Sequence, residues 1–279
     1  MDASEGCQVK SRAKKRLGQH FLRDARILDR LIRLVGPVST DTFLEVGAGY
    51  GALSERLAPR VARLVAVELD RDCVSALQVS LARFPSATVV PGDILSLNLP
   101  ALVSSYLNPG QSLRVTGNLP YNIATTIIEK LLSLDLSVRD ITVMVQLEVA
   151  QRIVASPGTR QYGYFSVYCQ HLAQVRLEFE VGPGCFSPRP QVISAVVTFR
   201  PHPRPGDRTL THCLVPVAKA AFGYRRKTLA NSLRHDPQIG LVSDGLLAQA
   251  GIDPGRRAED LTIQEFESLA AIYARNFNR

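Results

Sequence analysis

Gly117-Asn118-Leu119-Pro120-Tyr121 closes the short run Leu113, Arg114, Val115, Thr116 and opens a pattern with apolar residues at Ile123, Ala124, Ile127, Ile128, Leu131 and Leu132. That spacing has a period of about 3.6, so a strand ends and a helix begins between Asn118 and Tyr121. In parallel α/β sheets the crevice beyond the carboxyl ends of the strands is where ligands sit. An amide, a proline-stiffened turn and an aromatic face would all project into it. Asn118 and the Leu119 carbonyl can accept hydrogen bonds from an exocyclic amine while Tyr121 stacks on a planar ring. The same residues also make an acceptable connection with no ligand, because Leu119 before proline is pushed to extended geometry. The neighbouring motifs decide between the two.

Three earlier runs end in the same manner. Thr42-Phe43-Leu44 leads to Glu45-Val46-Gly47-Ala48-Gly49-Tyr50-Gly51, with a helix expected from Ala52 to about Leu57. Leu64-Val65-Ala66-Val67 ends at Glu68-Leu69-Asp70, before a helix from Asp72 to about Phe84, and Thr88-Val89-Val90 ends at Gly92-Asp93-Ile94. Strands alternating with helices imply a parallel sheet, and each strand delivers a polar group to one rim. The glycine turn allows close backbone approach, and Glu68, 21 residues beyond Gly47, suits an acid that accepts both hydroxyls of a ribose. Gly47, Gly49 and Ala52 fit the dinucleotide pattern equally well, so the turn indicates adenosine without separating a nicotinamide cofactor from S-adenosylmethionine. Asp93 is placed to accept from an adenine amino group.

Toward the amino terminus, Lys10, Arg12, Lys14, Lys15 and Arg16 form a basic arm, followed by Leu17-Gly18-Gln19-His20-Phe21-Leu22. Asp24 caps a helix with Ile27, Leu28, Leu31, Ile32 and Val35 inward, stopped by Gly36-Pro37. Toward the carboxyl terminus, a fifth strand is expected at Ile141 to Val145, then helices from Glu148 to Ala155 and near Phe165 to Leu172. Val175 to Val181 and Ser194 to Phe199 read as two further strands that pair antiparallel at a sheet edge. The proline-rich stretch between them holds Phe186, a second aromatic face for a base. Pro201, Pro203 and Pro205 mark a linker to an all-helical segment in which Thr262 and Glu265 form a capping box. The division expected is a basic arm with a cofactor-contacting segment (1–23), a catalytic domain (24–200) and a helical RNA-binding domain (208–279).

The net charge of +8 points to a polyanionic partner, and from Ser187 onward 13 bases face 8 acids, so the smaller domain is the more cationic. No acid lies between Asp207 and Asp236, while Arg225, Arg226 and Lys227 stand together there. The five cysteines are scattered without metal-ligand spacing and read as reduced thiols of a cytosolic protein. No apolar run approaches a membrane span, and the start has no secretory or transit character, so a cytoplasmic location is expected.

Together these motifs resemble the adenine N6-dimethyltransferase family of ribosomal RNA, in its bacterial small-subunit (16S) branch. The likeness runs from about Lys14 to Leu269 and includes Phe186-Ser187-Pro188-Arg189-Pro190 and Phe222-Gly223-Tyr224-Arg225-Arg226-Lys227-Thr228-Leu229. It implies a Rossmann-like S-adenosylmethionine-dependent methyltransferase sheet of seven strands with an antiparallel edge hairpin, and a small helical carboxyl-terminal domain. Cofactor contacts are implied at Gln19, His20, Leu22, Gly47, Gly49, Glu68, Leu69, Asp93, Ile94 and Asn118. Asn118, Leu119, Pro120 and Tyr121 form the implied catalytic motif, with Phe186 opposite Tyr121. Lys14, Lys15, Arg16, Arg225, Arg226 and Lys227 are the implied RNA contacts. The implied reaction dimethylates two adjacent adenosines in a hairpin near the 3′ end of 16S ribosomal RNA within the small subunit; a methyl group already activated on a sulfonium needs no metal, and a monomer is expected. His20 stands where asparagine is frequent, Ile193 replaces the usual acid or amide before Ser194, and Ala258 replaces a usual proline. The rivals are a large-subunit (23S) adenine methyltransferase, against which Leu119 and the long carboxyl-terminal domain speak, a nicotinamide-dependent oxidoreductase, and a non-catalytic RNA-binding assembly factor.

Overall fold

The computed structural model describes Lys14, residues 18–203 and residues 209–277. Lys15 and Arg16, two of the expected RNA contacts, lie outside the described residues. In chain order the structure forms β1 (Phe21–Leu22), α1 (Ala25–Val35), β2 (Thr42–Val46), α2 (Ser54–Leu57), β3 (Arg63–Glu68), α3 (Arg71–Leu81), β4 (Ala87–Pro91) and α4 (Leu99–Ser104). There follow β5 (Leu113–Asn118), α5 (Ala124–Leu132), β6 (Val138–Gln146), α6 (Leu147–Ile153), α7 (Tyr164–Leu172), β7 (Ala173–Val181), β8 (Phe186–Ser187) and β9 (Ser194–Pro201). Helices α8 (Thr209–Phe222), α9 (Leu229–Arg234), α10 (Ser243–Ala250) and α11 (Ile263–Phe277) complete the chain.

The main sheet has the order β4-β3-β2-β5-β6-β9-β7. Neighbours from β4 to β6 are parallel, and β9 runs antiparallel to both β6 and β7. This is the Rossmann-like, seven-stranded sheet with an antiparallel edge that the sequence implies. Helices cover both faces, so central strands are buried on both sides: every residue of β2 is buried, Thr42 and Glu45 included. The winding direction reverses between β2 and β5, and a crevice opens there beyond Val46 and Asn118. Gly117 makes the approach possible, since a Cβ at that position would lie 2.3 Å from the Val46 carbonyl oxygen.

Caps set the helix ends as the composition suggests. The Asp24 side chain accepts from the Arg26 and Ile27 amides, and Gly36 closes α1 in the left-handed region at φ 54°. Three apolar clusters follow from the layering. Leu44, Val65, Val115 and Ile127 lie in one, Phe43, Leu64, Leu77 and Leu28 in a second across the sheet, and the third holds α8 to α11 together around Phe266 and Leu269. Each fully buried Leu, Ile or Phe contributes about 1.5–3 kcal/mol. The third cluster also takes in Ala155, Tyr162 and Val167, so the helical segment packs directly on the end of α6 and the start of α7. Tyr162 is fully buried there with its hydroxyl unpartnered among the described residues.

Several local features differ from expectation. The helix after the glycine turn starts at Ser54, not Ala52, and gives way at once to a tight turn over Ala58–Arg60 containing Pro59. The helix α4 was not expected, although Asn98 caps it by accepting from the Ala101 amide at 3.1 Å. The β1–β8 pair, Phe21 opposite Ser187 and Leu22 opposite Phe186, was also unexpected. Two residues carry no periodicity, so only tertiary proximity forms that strand pair.

Candidate active site

Glu68 and Asn118 end β3 and β5, and Asp93 lies two residues beyond β4. All three line a single cavity at the carboxyl edge of the sheet, together with Gly47, Gly49, Leu69, Ile94 and residues 18–21. Gly49, at φ 56°, packs so near Phe21 that a Cβ would meet the ring at 3.0 Å, which brings the glycine turn directly against the segment covering it.

The Asn118 carboxamide is fixed in orientation. Its Nδ2 donates to the His20 carbonyl at 2.7 Å, and a carbonyl only accepts, so Oδ1 is the atom left over. Oδ1 is buried and has no partner among the described residues. A buried acceptor without a donor costs roughly 1–3 kcal/mol, so this oxygen is prepared to receive an N–H. Next in the motif, Leu119 donates its amide to the Met144 carbonyl at 3.0 Å and Pro120 lines the cavity. The Tyr121 hydroxyl is 2.5 Å from the hydroxyl of fully buried Ser194, and burial raises its pKa. His20 stacks on the Tyr121 ring at 5.2 Å between centroids, and its Nδ1 donates to the Pro188 carbonyl at 2.8 Å.

The acids show what each can still accept. Glu68 Oε2 accepts from the Gly49 amide at 2.8 Å, and Oε1 accepts from Leu69 and Asp70 at 2.9 and 2.8 Å. Three of about four lone-pair directions are therefore used, and one on Oε2 stays open. Asp93 accepts from the Leu95 amide at 2.9 Å and from Ser96 at 3.4 Å, and retains directions toward the cavity. Leu69, 49% exposed, and buried Ile94 give the cavity two apolar walls.

Gln19 lines the cavity, but its amide works elsewhere. It donates to Asp70 at 2.9 Å and accepts from the Lys14 amide at 2.8 Å. The Lys14 ammonium, expected to contact RNA, pairs here with Asp70 at 2.5 Å and Asp72 at 2.7 Å and so straps the basic arm to the start of α3. Burial acts to raise the Asp70 pKa, yet its bonds from Lys14, Gln19 and the Asp72 amide outweigh this and lower it. Leu22 is buried in the cluster beneath α1 and lines an adjoining cavity, which shares Phe21, Gly47, Gly49 and Asn118 with the one holding Glu68. Phe186, expected opposite Tyr121, is 5% exposed in that same cluster, because pairing with β1 draws it inward; the ring facing Tyr121 is His20.

Behind the glycine turn, Glu45 is fully enclosed. Burial pushes its carboxyl up to about 8, against the 2.6 Å hydrogen bond from Ser54 and with repulsion from Glu68 adding to the rise. In the helical segment, Arg225, expected to contact RNA, donates to the Arg160 and Tyr162 carbonyls at 3.0 and 2.6 Å and so ties the stretch after α8 to the stretch before α7. Arg226 and Lys227 are exposed. Sequence reasoning missed Ser194 and Asp70. Asp70 left a faint signal, an acid immediately before the helix that it caps, whereas nothing in the sequence marks Ser194.

The strand order and the cavity at its switch point place this chain in the class of Rossmann-like methyltransferases. The family model described as ribosomal RNA adenine dimethylase matches residues 10–275, and the chain belongs to that family. The ribosomal RNA small subunit methyltransferase A of Geobacter metallireducens is 44% identical over 267 residues, which cover 93% of this chain and 94% of that one. Its namesake from Chromohalobacter salexigens is 39% identical over 259 residues, 92% of this chain and 90% of the relative. Among solved structures, a dimethyladenosine transferase from Plasmodium falciparum superposes with a TM-score of 0.75 at 20% identity, covering 92% and 98% of the two chains. The 23S rRNA methyltransferase ErmE follows at 0.67 and 22%, covering 90% and 98%. At those identities the structural likeness speaks for the fold.

Proposed function

We propose that this chain transfers methyl groups from S-adenosylmethionine to the N6 amino group of adenosines in small-subunit (16S) ribosomal RNA, dimethylating two adjacent adenosines in a hairpin near its 3′ end. Family membership and relatives that match more than nine tenths of this chain support the substrate class. The observation carrying the chemistry is the buried, unpartnered Oδ1 of Asn118, held in place by the His20 carbonyl. The cavity fits the methyl donor: Asp93 has acceptor directions for an adenine amino group, Glu68 Oε2 one for a ribose hydroxyl, and Leu69 and Ile94 are apolar walls.

S-adenosylmethionine supplies a methyl group already activated on a sulfonium, so the protein's task lies with the acceptor. The adenine N6 lone pair is delocalised into its ring, and attack makes that nitrogen tetrahedral and positive. Asn118 Oδ1 and the Leu119 carbonyl accept its N–H groups as the charge develops, the logic of an oxyanion hole with the sign reversed. As the N–C bond forms the methyl–sulfur bond breaks to leave a neutral thioether, and the N6 proton is then lost to water. Tyr121, anchored by Ser194, gives the base a face to stack on. With Phe186 in the core, a single stack of about 1–3 kcal/mol offsets the few kcal/mol of base extraction only for an adenosine already unpaired. Loop adenosines are therefore the favoured targets.

The test is radiolabelled methyl transfer to unmodified small subunits, followed by nucleoside identification. The expected product is N6,N6-dimethyladenosine. Label found only in large-subunit RNA, or no label at all, would overturn the reading.

A further inference from the structure

We propose that a groove at the junction of the two domains binds a single unpaired nucleotide of the same RNA strand, separate from the adenosine undergoing reaction. The groove, about 600 Å³, is lined by Arg152, Arg160, Gln161, Phe165 and Arg225 among others. This volume falls in the range of about 300–1,000 Å³ typical of small-molecule sites, so it admits one nucleotide and not a duplex.

Its position follows from topology. Asn118 at the end of β5 pairs with Met144 of β6, and α6 starts three residues later at Leu147. The groove is lined on one side by Glu148, Gln151 and Arg152 of α6, the helix that follows the strand beside Asn118. Its opposite wall is built across the domain boundary, where Arg225 donates to the carbonyls of Arg160 and Tyr162. That tie holds the 160–163 backbone in place and leaves the groove preformed.

Its chemistry matches a nucleotide. Three guanidinium groups face one lining carboxylate, Glu148, which forms an ion pair with Arg152. Arg160 and Gln161 are exposed, and among the described residues their side chains make no hydrogen bond. A free guanidinium suits a phosphate, a free amide can both donate to and accept from a base edge, and the half-buried Phe165 ring provides a stacking face. Exposed Arg226 beside Arg225 extends the positive surface outward. A ribosomal protein would be a partner of another class, but one cationic slot of single-nucleotide size favours RNA.

The proposal rests on RNA being the substrate, and its test keeps the two readings apart. Arg160→Ala/Gln161→Ala is compared with the parent for methyl transfer to unmodified small subunits, for S-adenosylmethionine affinity and for thermal stability. Both side chains are exposed, so melting and donor affinity are expected to stay unchanged and kcat to remain within about twofold, while KM for the subunit rises about tenfold or more. In parallel, parent protein is irradiated with small subunits carrying 4-thiouridine-substituted 16S RNA, and adducts are mapped by mass spectrometry. An RNA adduct on residues 160–165 is expected. An unchanged KM, or RNA adducts on this protein that leave out residues 160–165, would overturn the proposal. Failure of the parent to methylate adenosine would instead sink the proposed function, and the cross-link would still report on the groove.

Discussion

Asn118 Nδ2 donates to the main-chain carbonyl of His20 across 2.7 Å, and this one contact joins the catalytic turn to the segment that closes over the cavity. It leaves Oδ1 as the end of the carboxamide with no partner among the described residues. It also makes the covering segment part of the site, because His20 stacks on Tyr121 while its Nδ1 grips the Pro188 carbonyl.

Asn118→Ala removes both the anchored donor and the waiting acceptor. Turnover on small subunits is expected to fall on the order of a hundredfold, with S-adenosylmethionine affinity nearly unchanged, since Glu68 and Asp93 remain. Single-turnover methyl transfer and calorimetry check this pair of outcomes; unaltered turnover removes the role assigned to Asn118.

The enclosed carboxyl of Glu45 makes stability depend on pH. Its ordinary value of 4.5 is raised to about 8 in the folded protein by burial. Between these values the native state keeps a proton that the unfolded chain has released. The stability contribution is complete below 4.5 and is lost as pH rises toward 8, at about 1.4 kcal/mol per pH unit. Denaturant unfolding across that window is expected to show a flatter pH profile for Glu45→Gln than for the parent. Parallel profiles would refute the assignment.

Gly117→Ala places a methyl group 2.3 Å from the Val46 carbonyl oxygen, between two central strands that cannot separate without breaking their ladder. The expected cost is at least about 3 kcal/mol, lowering the melting temperature by several degrees. A melting temperature equal to that of the parent would show that the strands yield more easily than their packing indicates.

Arg225, Arg226 and Lys227 are all exposed, and of the three Arg225 is the one whose guanidinium is engaged with main-chain carbonyls. Arg226→Ala/Lys227→Ala is expected to weaken small-subunit binding and to reduce the slope of log affinity against log salt by up to about 2. Binding measured at several ionic strengths tests this. An unchanged slope would make the patch a solvated face only.

Much of this protein is written in short-range pattern. Period-2 and period-3.6 runs, the Asp24 and Gly36 caps, the glycine turn and the polar residues ending three strands are all local features. They sufficed for a parallel sheet with a common rim and for one cavity lined by Glu68, Asp93 and Asn118. The family likeness was legible for the same reason, as motifs of four to eight residues survive intact in the linear chain.

Only the tertiary structure decided where residues far apart in sequence meet. The pairing of Phe21–Leu22 with Phe186–Ser187 draws Phe186 into the core and gives Tyr121 an imidazole neighbour in its place. Lys14 is spent on Asp70, 56 positions away, and Arg225 on carbonyls at 160 and 162. A charge in a sequence carries no record of whether a counter-ion or carbonyl waits for it across the fold, because that depends on how layers pack. Sequence therefore determined the scaffold and the reactive motif, and packing determined which of the named side chains remain free to meet a ligand.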